Sequence, residues 1–145
     1  MRILMVTLLT HVVIVGMWPA PWWVPDLTTI GLVLAVSKTP SRWLAYAGCT
    51  GVLLTVWAIR HPAAVEVSCL LIGWGTQLTA QRWDAGDLRV QCLLIGMASA
   101  LMTLWALWLE DLLGSLPLVG LVGLRVTLTC LAVPLVRSLL VPRGS

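Results

Sequence analysis

The chain has 145 residues, of which 59% are hydrophobic and only 10% charged, with a formal net charge of +3 and a mean hydropathy of +0.97. A water-soluble domain carries about 25% charged residues, so this composition excludes one and points to a single membrane bundle. The basic residues stand singly at segment ends, which excludes a nucleic-acid surface.

In chain order, the first apolar segment runs from about Ile3 to Met17 behind Arg2. Trp18, Trp22 and Trp23, with Pro19, Pro21 and Pro25 among them, predict a turn at the membrane–water interface rather than a small-residue leader-cleavage site. Segment 2, Leu27 to Ser37, reaches only about 16 Å at roughly 1.5 Å per residue, against about 30 Å of hydrocarbon. It is therefore expected to be short, tilted or distorted, either crossing a thinned region or re-entering. Pro40 breaks the helix, because it lacks an N–H and disfavours α geometry at Thr39. Lys38 and Arg42 flank that break.

Segment 3 is Trp43 to Ile59 and segment 4 is Ala63 to Ala80; the tight Arg60-His61-Pro62 link makes them antiparallel neighbours. Asp84, Gly86 and Asp87 are ordinary turn formers. Segment 5, Val90 to Leu109, has spanning length, and segment 6 runs from Leu116 to Val136 with Arg137 at its end. Residues 1–139 form one all-α polytopic bundle of about six transmembrane helices. Leu140 to Ser145 resembles a thrombin-site tag remnant cut at Arg143.

The charges set a sidedness. With the N-terminus cytoplasmic, Arg2, Lys38, Arg42, Arg82, Arg89 and Arg137 fall inside, leaving Arg60, Asp26, Glu110 and Asp111 outside. That is the positive-inside pattern, with both termini expected in the cytoplasm. If segment 2 re-enters, only Arg2 changes side.

Gly31/Ala35, Ala47/Gly51 and Gly96/Ala100 are each four apart, so each pair shares a helix face that lets another helix approach closely. That helix is either a neighbour in the bundle or a partner's. Arg125 near the middle of segment 6 is expensive in hydrocarbon, and Glu66 is the acid expected within its reach. The pair is either structural, with the guanidinium snorkelling outward, or a contact for a substrate or partner. Cys49, Cys69, Cys92 and Cys130 lack C-x-x-C spacing, and His11 and His61 are isolated. No metal, cofactor or catalytic constellation is expected, so an enzyme is unsupported.

Several features in order resemble the bacterial rod-shape-determining MreD family. They are Pro25-Asp26-Leu27 opening segment 2, the hinge from Lys38 to Arg42, Gly51-Val52-Leu53-Leu54, and the closing run Leu131-Ala132-Val133-Pro134-Leu135-Val136-Arg137. Thr55 departs from the pattern, where the family usually has an aspartate, and Arg60-His61-Pro62 is tighter than its usual loop. The resemblance implies a non-catalytic scaffold of the cell-elongation machinery. Its partner would be a bitopic MreC-like protein, with RodA, a penicillin-binding transpeptidase and MreB filaments as further members. MreD-like bundles also look similar to the substrate-binding subunits of energy-coupling-factor transporters. A pocket lined by Glu66, Arg125 and Asp26 would favour that alternative; a solid bundle with an apolar lateral groove would favour the scaffold.

Overall fold

The shortest α-helix is the one in the middle. In the computed structural model, which describes residues 2–17, 25–55, 62–84, 86–109 and 118–140, the order is α1 (Arg2–Met17), α2 (Leu27–Lys38), a 3-10 turn (Pro40–Arg42), α3 (Trp43–Thr55), α4 (Pro62–Arg82), α5 (Leu88–Leu109) and α6 (Leu118–Leu140). No strand occurs among the described residues. Helix α2 packs against each of the other five. Every residue from Leu27 to Val36 is buried. A helix apolar on all sides finds its place at the centre of a bundle, which is why the segment tolerates its small length. Its 12 residues rise only about 18 Å.

Local chemistry sets the ends of α2. Asp26 caps its N-terminus, its side chain accepting from the backbone N–H of Thr29. At the other end the Thr39 N–H donates to the Ala35 carbonyl at 3.2 Å, and the Thr39 hydroxyl lies 3.0 Å from that of Tyr46. Thr39 is extended, at φ −139°, as a residue before proline prefers, and Pro40 opens the 3-10 turn.

Pairwise contacts fix how the helices run. Gly73 of α4 lies against Ala47 of α3, and Glu66 against Gly51, so α3 and α4 are antiparallel. Gly96 of α5 meets Cys130 and Val126 of α6, and Arg137 donates to Gln91 at 3.2 Å, so α5 and α6 are antiparallel too. Thr7 of α1 faces Gly31 of α2. These pairings gather Arg2, Lys38, Arg42, Arg82, Arg89 and Arg137 at one end. Asp26 departs from the expectation of an outer-loop acid: it is buried at 2% exposure. The reason is the shortness of α2, whose start lies at the depth of the bundle interior, where its cap must be satisfied by protein.

Large apolar side chains lie on the outside as well as in the core. Leu9, Val13, Leu44, Leu93, Met97 and Leu131 are all exposed, while Asp26, Ser99, Thr103 and Thr129 are buried. Two helical stretches, Leu88–Trp108 (21 residues) and Gly120–Leu139 (20 residues), are long and apolar enough to cross a membrane. Arg60, His61, Glu110 and Asp111 lie outside the described residues, as do the far end of segment 3 and most of the presumed tag remnant.

Candidate functional site

A polar seam is built on the N-terminus of α2. Oδ1 of Asp26 accepts from the Thr28 hydroxyl at 2.7 Å and from the Thr29 N–H at 3.1 Å, and Oδ2 accepts from the Thr29 hydroxyl at 2.6 Å. The positive end of the α2 dipole lies at the same place and favours the carboxylate. The Asp26 N–H donates to Thr129 Oγ1 of α6 at 3.1 Å. Thr129 in turn donates to the Arg125 carbonyl at 2.7 Å and lies 3.4 Å from Ser99 Oγ of α5. Thr103 continues the line by donating to the Ser99 carbonyl at 2.7 Å.

Arg125 of α6 and His11 of α1 both lie within electrostatic reach of Asp26. The cluster therefore draws on α1, α2, α5 and α6. Arg125 Nε and His11 Nδ1 are buried without a hydrogen-bond partner. Both oxygens of Asp26 are engaged by its own helix start, so the carboxylate serves chiefly as an anchor for α2. Arg125 adds favourable electrostatics at longer range, with no hydrogen bond or ion pair to Asp26 among the described residues.

The other residues singled out from sequence fall as follows. Arg125 lies within electrostatic reach of Asp26 and His11, and no hydrogen bond or ion pair joins its side chain to Glu66 among the described residues. Glu66 packs instead on Gly51, where a Cβ would stand 3.1 Å from its Cα. Gly31 receives Thr7, and a Cβ at that position would overlap the threonine hydroxyl. Ala35 is buried on α2, and Ala47 is buried against Gly73. Gly96 lies 3.3 Å, measured from its would-be Cβ, from the Cys130 sulfur. Ala100 alone among these small residues lines an open groove. Lys38, Arg82 and Arg137 lie in the last turns of α2, α4 and α6, where cations complement the helix dipole. Arg42 closes the 3-10 turn, and the Arg89 N–H donates to Asp87 Oδ1 at 2.9 Å.

Two features face outward, and the sequence assigned residues to neither. On α6 the residues Gly120, Gly123, Thr127, Leu131, Pro134 and Ser138 are all exposed. Their spacing of three and four puts them on one face. No atom stands within 4 Å of the Cβ position of either glycine. Between α4 and α5 runs a groove of about 450 Å³, lined by Leu71, Gly75, Ala100, Leu101 and Leu104 among others. A second hollow of about 380 Å³, with Arg82 and Trp83 at its mouth, continues it. The signals were present in part. Asp26-Leu27-Thr28-Thr29 before an apolar run is a helix-start signature, and Gly120 and Gly123 stand in plain view; which glycines a neighbour fills is not a sequence property.

No family model, curated protein or solved structure matches this chain. What the fold and the surfaces define is an all-helical chain with two helices long and apolar enough to span a membrane.

Proposed function

We propose that this chain is a non-catalytic, six-span membrane scaffold that docks the transmembrane helix of a bitopic partner on α6, in the manner the MreD resemblance implies. The observation that carries the reading is the contrast among the helical glycines. Gly31, Gly51, Gly73 and Gly96 are filled by neighbouring helices, while Gly48, Gly75, Gly120 and Gly123 have nothing within 4 Å of their Cβ positions, and of these Gly120 and Gly123 stand together on one face of α6. In lipid, helices associate through close packing and interhelical hydrogen bonds, because the tails are already apolar. A small face of Gly120, Gly123 and Thr127 pointing away from its own bundle suits that use.

Membrane placement draws on the same surfaces. Leu88 to Trp108 covers 21 residues, about 31 Å at 1.5 Å per residue, close to the hydrocarbon thickness. Trp83 lies near one end of that length and the tilted pair Trp105–Trp108, 5.4 Å between ring centroids, near the other. Both levels suit interfacial tryptophan. The basic end then belongs in the cytoplasm, with both termini.

The test is copurification of an MreC-like bitopic protein in mild detergent. Gly120→Leu with Gly123→Leu is expected to abolish recovery while leaving the helical content and folding of the chain unchanged. Undiminished recovery removes α6 from the interface. Uptake of a small molecule that is lost on Arg125→Ala would replace the scaffold with the transporter-subunit reading, for which the Asp26–Arg125–His11 cluster supplies the polar groups.

A further inference from the structure

We propose that the groove between α4 and α5 is a binding site for an anionic phospholipid, with one acyl chain along the groove and the phosphate at Arg82. The proposal rests on the membrane placement above but not on the scaffold role.

The two hollows share Leu94 and Met97, so they form one continuous channel along the outer side of the bundle. Its upper half is lined without a charged side chain. Gly75 leaves a notch there, with no atom within 4 Å of its Cβ position. The lower half ends at Thr79, Arg82 and Trp83. The groove runs from Leu71 to Arg82 on α4, about 17 Å, and from Val90 to Leu104 on α5, about 21 Å, nearer to one leaflet of about 15 Å than to the full hydrocarbon core. A partner's spanning helix needs about 30 Å, longer than either wall of the groove. The groove therefore matches a single leaflet, apolar along its length and cationic only at the headgroup end.

Charge complementarity selects the headgroup. Arg82 is exposed at the groove mouth and Arg89 follows across the turn. The acids of that turn are directed elsewhere: Asp84 Oδ1 accepts from the Gly86 N–H at 2.9 Å, and Asp87 Oδ1 from the Arg89 N–H at 2.9 Å. Arg82 is thus free to meet a phosphate, a partner that guanidinium grips with paired hydrogen bonds. Basic pockets between helices on the cytoplasmic side take anionic headgroups by this chemistry. Trp83, 59% exposed, lies at the level where an indole ring rests among headgroups.

The experiment reconstitutes the full chain in phosphatidylcholine nanodiscs containing a minor fraction of phosphatidylglycerol. Native mass spectrometry after detergent extraction then reads the retained lipid. The wild type is expected to keep phosphatidylglycerol in preference to phosphatidylcholine. Arg82→Gln should lower that retention about tenfold, one charge-assisted hydrogen-bonded contact, and Arg82→Lys should restore part of it. Arg82 is exposed, so its loss leaves the fold intact. Gly75→Phe, which fills the notch, should expel both lipids without loss of helicity. Phosphatidylglycerol retention unaffected by Arg82→Gln overturns the proposal. So does equal retention of the two lipids by the wild type, or binding of inorganic phosphate with no lipid retained. Partner recovery scored on the Gly123→Leu variant fails or succeeds independently of these readouts.

Discussion

Asp26 and Arg125 show how one buried carboxylate holds a helix start in place. Removing the carboxylate deletes three hydrogen bonds to Thr28 and Thr29 and leaves the Arg125 charge without its nearby acid. A lost cap costs about 1 kcal/mol, and the buried Thr28 and Thr29 hydroxyls left without their acceptor about 1–3 kcal/mol more. Asp26→Ala is therefore expected to destabilise the bundle by about 2–4 kcal/mol in a denaturing-detergent titration, and Asp26→Asn, which keeps one acceptor oxygen, by less. Equal stabilities for Asp26→Ala and wild type would show that the start of α2 is held by its packing alone. At Gly31 the sign is set by two opposed effects. Alanine favours a helix over glycine by about 1 kcal/mol, but its methyl would overlap Thr7, and overpacking costs about 1–3 kcal/mol. Gly31→Ala should destabilise, and Thr7→Ala should rescue it; the non-additivity of the double mutant is the measurement.

Among the elements, α2 and α6 are opposites. Helix α2 is buried on every side from Leu27 to Val36, whereas α6 presents Gly120, Gly123, Thr127 and Leu131 outward. Bulky substitutions should separate the two kinds of helix surface. Gly51→Leu meets Glu66 backbone at 3.1 Å and Gly96→Leu meets the Cys130 sulfur at 3.3 Å, so both should lower thermal stability strongly. Gly123→Leu should shift it little, because nothing stands in its way. A similar loss for all three in a thermal-shift assay would mean that the α6 face is covered within the bundle. Pro134 sits inside α6 without ending it. The proline removes one backbone donor, and a transmembrane helix tolerates this when neighbouring groups or local adjustment satisfy the freed carbonyl.

At the scale of the whole molecule, the helix pairings bring six basic residues from distant parts of the chain to one end. Lys38 and Arg42 belong to the hinge, Arg82 and Arg89 flank the α4–α5 turn, and Arg2 and Arg137 lie near the two chain ends. Positive charge resists translocation, so this end is expected in the cytoplasm. Cysteines engineered beside Arg2 and Arg137 should react with a membrane-impermeant thiol reagent only after the membrane is opened. Labelling of the Arg2 site alone from outside would instead fit a five-span chain in which α2 re-enters.

Most helix limits were legible in the sequence because they depend on local properties: the length of an apolar run, a proline, a lone lysine or arginine at its end. The hinge from Lys38 to Arg42, the turn at Asp84 to Asp87 and the shortness of α2 all belong to this kind. Interior position did not. Asp26 reads as a loop acid until α2 is found at the centre of the bundle, where the short helix carries its cap inward. Gly96 and Gly123 are equivalent as letters, and only packing separates the one pressed against Cys130 from the one facing open space. Likewise Arg125 and Glu66 are the two conspicuous charges inside apolar segments of the sequence, yet tertiary structure brings Arg125 within electrostatic reach of Asp26 and His11 and lays Glu66 on Gly51. The reason is that hydropathy and turn chemistry act over a few residues, whereas contact between helices depends on rotations and depths set jointly by every other helix.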